Sequence, residues 1–169
     1  TLGQLAIHVA TIPGAICGLA ALDGFDASTV DFTPPQPASH DEVLAAFDAS
    51  FAAGLLEAAV QVHATQAPVL LVACDVPYPE PLHALRPVQD VMAVALVLAP
   101  ASSNGRALNI EMTSGDSPIT RCTDAAFEAL RVGIPAARAL PLLRALIADA
   151  ASDIVLEGLP GSALSMHVG

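Results

Sequence analysis

Residues 48–100 read DASFAAGLLEAAVQVHATQAPVLLVACDVPYPEPLHALRPVQDVMAVALVLAP, and this stretch decides the fold. Phe51, Leu55, Ala59 and Val62 recur at three- and four-residue steps, the period of one helix face. The opposite face after Ser50 is mostly Ala and Gly, with only Glu57 and Gln61 strongly polar. Small residues let neighbours approach on both sides, so this helix is predicted to be central and largely buried. Val69–Ala73 is an apolar run too short for a helix and bounded by Pro68 and Asp75. It predicts a strand covered on both faces. Pro77, Pro79, Pro81 and Pro87 stiffen the following loop, and Val91–Leu98 predicts a second buried strand.

Working upstream, Ser39 to Asp41 supplies a cap, and the helix is predicted to run unbroken from Asp41 to Gln66, with Leu44 and Phe47 on its apolar stripe. Gln4–Ala10 alternates as a strand, Ile12–Leu22 is a Gly- and Pro-punctured loop, and the prolines of Phe25–Ser39 make an extended connection. Downstream, Asn104-Gly105 is a hairpin signal, so Arg106–Thr113 is predicted to pair with the strand before it. Helices are expected over Thr123–Val132 and Ala136–Ala150. A hairpin then closes the chain, Asp153–Leu159 and Ala163–Val168 around Pro160-Gly161-Ser162. The class is α/β, layered with helices packed on a mixed sheet, and residues 1–169 are read as one domain.

Composition narrows the functional field. The chain is 54% hydrophobic but only 4% aromatic, so its core is built from Ala, Leu and Val. Net charge is −11, with six Arg and no Lys, which argues against nucleic-acid partners. No uninterrupted apolar run reaches the ~18 residues of a membrane span, and no basic segment precedes an apolar one as in a secretory signal. A cytoplasmic protein is expected.

Candidate chemistry is sparse. Cys17, Cys74 and Cys122 are odd in number and irregularly spaced, which fits neither a disulfide framework nor a zinc site. Cys17, in GAICG, sits among small residues as a nucleophile on a tight turn does, with His8 the base that would have to fold back to it. Cys74 ends a strand, but the carboxylate of Asp75 beside it disfavours a thiolate. Both are read first as structural thiols, with catalysis the weaker alternative. The five His (His8, His40, His63, His83 and His167) lack metal-ligand spacing. Glu80 and His83 share the Pro-rich loop as a weaker acid–base candidate. No P-loop, G-x-G-x-x-G or G-x-S-x-G is present, so no cofactor or metal is predicted.

The helix FAAGLLEAA (51–59), the strand LLVACD (70–75), the pair Arg86-Pro87 and the strand AVALVLAP (93–100) together resemble the N-terminal domain of the β-ketoacyl synthases. The likeness is greatest to the chain-length-factor type of that thiolase-like superfamily, with a shortened N-terminal region. Membership implies a thiolase-like layered fold and a role in fatty-acid, aryl-polyene or polyketide-type chain extension. It also implies a homodimer, or a heterodimer with a synthase subunit, and indirect contact with an acyl carrier protein, although the acidic surface makes a poor dock for that acidic partner. In the family a nucleophilic Cys opens the helix that Asp41–Gln66 occupies here, yet no Cys lies between Cys17 and Cys74. The two activating His belong to a half this chain does not hold. The resemblance therefore implies a catalytically silent subunit. Two alternatives stand beside it: an active condensing acyltransferase whose missing segments lie outside this chain, and an acidic interaction protein without a pathway role.

Overall fold

The computed structural model describes residues 39–101, 105–114, 117–158 and 161–169. The strand expected at Gln4–Ala10, the extended segment after it and Cys17 lie outside the described residues. In chain order the elements are α1 (His40–Asp48), α2 (Ser50–Thr65), β1 (Val69–Asp75), the short α3 (Leu82–Leu85), β2 (Met92–Leu98) and β3 (Leu108–Ser114). Then follow α4 (Ala125–Gly133), a 3-10 turn (Pro135–Ala139), α5 (Leu140–Ile147), β4 (Ser152–Glu157) and β5 (Ser162–Val168). β1 and β2 form one antiparallel sheet; β3, β5 and β4, in that order, form another. This is the α/β class expected, a partial thiolase-like domain with its closing hairpin β4–β5, although the described strands form two antiparallel sheets where a mixed sheet was expected.

α2 packs on β1 and β2, and α5 packs on β4. Phe51, Ala52 and Leu55 of α2, Leu142 and Ala145 of α5 and Val94 of β2 share one core with Ile154 and Leu156 of β4 and Leu164, Met166 and Val168 of β5. Burying a residue such as Leu55, fully enclosed here, contributes about 1.5–3 kcal/mol. α2 is central, as its small residues predict: a Cβ built on Gly54 would stand 3.3 Å from Leu71 Cδ1 of β1. At the β4–β5 turn, Gly161 has φ +82°, a conformation glycine reaches without a Cβ clash.

Four further expectations need correction. The long helix 41–66 is two helices, bent by 45° at Ala49. No Pro or Gly marks the break; instead Asp48, at the bend, pairs with two arginines distant in sequence, a tertiary pull that local periodicity does not record. Second, β1 is covered on one face only: Leu70 is 63% and Val72 58% exposed, while Leu71 and Ala73 pack on the core. Third, β3 pairs with β5, not β2. The connection 99–107 is nine residues long, well beyond the two to five of a tight hairpin, so the chain can cross to the other sheet. Fourth, the helix expected over 136–150 is a 3-10 turn followed by α5. Pro141 has no N–H, and its ring crowds the carbonyl four residues earlier, so a continuous α-helix cannot run through it.

Candidate functional site

Cys74 sits near the end of β1 opposite Ala93, with its thiol exposed and free. Asp75, the next residue, points to the other face and accepts a hydrogen bond from the Ala136 N–H (2.5 Å) at the start of the 3-10 turn. The two neighbours thus part company: the carboxylate has a structural role, and no His among the described residues hydrogen-bonds to Cys74. Cys122 is partly buried, and burial first, then the charge of Glu128, pushes its thiol pKa up, away from thiolate chemistry. No hydrogen bond or ion pair joins Glu80 to His83, whose Nδ1 is buried without a partner among the described residues. No cluster of three or more His, Cys, Asp or Glu suited to a metal occurs among the described residues. No single helix there is long and apolar enough to cross a membrane.

The densest polar constellation is an ionic seam along one flank of the helical layer. Asp48 at the end of α1 holds Arg86 (2.6 Å) and Arg138 (3.3 Å). Arg138 also reaches Glu157 of β4 (2.8 Å), which lies 3.7 Å from Arg131 of α4. Arg131 grips Glu128 with two hydrogen bonds, 2.9 and 2.8 Å. Glu128 also accepts from the Cys122 N–H (2.8 Å). Arg131 and Arg138 are only 5% and 8% exposed, and buried charges persist only when paired. Hydrogen bonding to Arg131, and secondarily to the Cys122 N–H, lowers the Glu128 pKa to about 2; the same contact raises that of Arg131. Since Asp48, Arg138, Glu157 and Arg131 hold one another, the seam works as a clamp between α1, α4, the 3-10 turn and β4.

A cavity of about 640 Å³ opens at the other end of the layer, within the usual range for small-molecule sites. Its lining is mixed: Leu55 and Val62 of α2, Leu96 of β2, Leu108 of β3, and Leu142 and Leu146 of α5 stand beside His63, Gln66 and Asn109. Arg106 lines it as well and donates to the carbonyls of Ala148 (2.5 Å) and Ala150 (3.1 Å), closing the C-terminal end of α5.

A family model for the β-ketoacyl synthase N-terminal domain matches residues 35–149, from α1 through α5. The chain belongs to this family. No curated protein and no solved structure matches it. Within this synthase-type domain the hairpin β4–β5 follows the matched residues, yet β5 supplies the partner of β3.

Sequence reasoning placed Cys74 correctly at the end of a β-ketoacyl synthase-type strand but missed the seam and the cavity. A local signal for the seam existed: Arg131 and Arg138 are isolated cations in apolar surroundings, and Glu128 stands three residues before Arg131. Their partners Asp48 and Glu157 are far away in sequence and carried no such mark. His167 and Asp153, 2.6 Å apart across the β4–β5 register, form an exposed pair that was likewise missed.

Proposed function

We propose that this chain is a catalytically silent β-ketoacyl synthase-like subunit. It acts as a chain-length-factor-like partner in fatty-acid, aryl-polyene or polyketide-type biosynthesis, either as a homodimer or beside a genuine synthase. The family match supports the lineage. The observation that carries the silent reading is the helix position where the family keeps its nucleophile: α1 and α2 contain no Cys. Condensation without a nucleophile loses the covalent step that divides the barrier. The subunit role is supported by the bare outer face of β1–β2, where Leu70, Val72 and Val97 stand exposed on one side. A contiguous uncharged surface of this kind is what a protein partner covers.

Incubation with octanoyl and malonyl thioesters, followed by intact-mass spectrometry, tests the proposal. The expected result is an unmodified chain and no condensed product. A stable acyl adduct on Cys17 or Cys74, abolished by Cys→Ser, overturns the silent reading. Light scattering with and without a synthase from the same host tests the subunit role; a monomer that forms no complex removes it.

A further inference from the structure

The outer face of the β1–β2 ribbon carries no charged side chain along its length. Strand alternation turns Leu70 and Val97 outward at one end, and Cys74 and Ala93 further along. The same alternation continues to Val76 and Val91, just past the paired residues and each more than half exposed. Bulky side chains thus stand at both ends of the face, with smaller ones, Cys74 and Ala93 among them, between. The thiol of Cys74 is exposed and free near the middle.

Area and charge together select the occupant. The face offers on the order of 600 Å² of apolar surface, the top of the range for the largest patch on a monomer. Two such faces would together bury about 1,200 Å², the lower bound of a specific protein–protein interface. A different protein is normally chosen through complementary charges, and this face has none to offer. The chain itself carries a net charge of −11, so two copies repel over their acidic surfaces. On the ribbon face they can meet without opposing like charges. Its bulky–small–bulky outline is also unchanged by a half-turn, the operation that relates the two halves of an isologous dimer.

We infer that a second copy of this chain packs on the outer face of β1–β2, ribbon to ribbon, with Cys74 of each copy covered by the other. This rests on the subunit reading above and narrows it to one partner and one face. An interface at the small end of the specific range holds in the micromolar regime and dissociates on dilution.

Light scattering over a dilution series, beside the rate at which N-ethylmaleimide modifies Cys74, tests it. Cys17→Ser with Cys122→Ser leaves Cys74 as the single thiol. A concentration-dependent monomer–dimer equilibrium is expected, with Cys74 reacting several-fold more slowly in the dimer. Val97→Asp puts a carboxylate on the face and should weaken the dimer at least about tenfold, with the circular dichroism of the parent chain retained. Ile147→Asp, at an exposed apolar position on α5, should leave the dimer intact. The inference is overturned if Val97→Asp dimerises like the parent, if Ile147→Asp breaks the dimer equally, or if Cys74 reacts as fast in the dimer as in the monomer. A monomer throughout the micromolar range also overturns it, and if its Cys74 is protected, the face is covered within one chain. Such a monomer that still binds a synthase from the same host sinks the self-pairing alone; one that binds no synthase takes the subunit role with it.

Discussion

The two faces of the β1–β2 ribbon are built from the same kinds of residue and meet opposite surroundings. Leu71, Ala73, Val94 and Leu96 turn inward onto α2 and the core. Leu70, Val72 and Val97 turn outward, each more than half exposed. Strand pairing enforces this alternation, with Leu70 opposite Val97 and Leu71 opposite Leu96. Hydrophobicity alone therefore does not say which face carries the fold's stability; coverage does.

Paired substitutions on the two faces give the largest expected contrast. Val94→Asp places a carboxylate in the core and should cost about 3 kcal/mol or more, whereas Val97→Asp, at a position 72% exposed, should stay within about 0.5 kcal/mol. Urea midpoints of both variants measure the difference. Equal losses would mean that the outer face is covered in solution, as self-association through it requires, and that the contrast belongs to the isolated chain alone.

Next in size is Gly54→Leu. The larger side chain must displace Leu71 from the inner face, at a cost of about 1–3 kcal/mol. An unchanged midpoint would show that α2 does not press on the ribbon as closely as Gly54 allows.

The smallest effect lies in the ionic seam. Glu128 has its carboxyl pKa lowered from the ordinary 4.5 to about 2, so its contribution is fully present above 4.5. It fades as pH falls toward about 2. Wild type should exceed Glu128→Gln in thermal midpoint at pH 7, with the gap closing between pH 4.5 and 2. A gap that persists at pH 2 would show that charge on Glu128 is not what holds Arg131.

What the sequence made legible follows the range of each interaction. α2, β1, β2 and the closing hairpin announced themselves because their periodicity and turn residues are local. The bend at Ala49 and the seam were hidden because Asp48 answers to Arg86 and Arg138, 38 and 90 positions away. Arg106 looked like a polar start to a hairpin strand, and only the placement of α5 beside it shows a cation closing a helix. The bare face of β1 was unreadable for another reason: an apolar run predicts burial but cannot identify the missing cover.

The placement of β5 between β3 and β4 also sets a timetable. β4 and β5 are joined by a short turn and can zip together in microseconds. β3 must wait for a strand that begins 48 residues after its own end, since Ser114 pairs with Ser162 and Leu108 with Val168. Closing a loop of that length delays contact formation far more than it weakens the final state. On the ribosome, residues 108–114 therefore emerge with an unpaired edge of backbone N–H and C=O groups, and they stay so until residues 162–168 have been made.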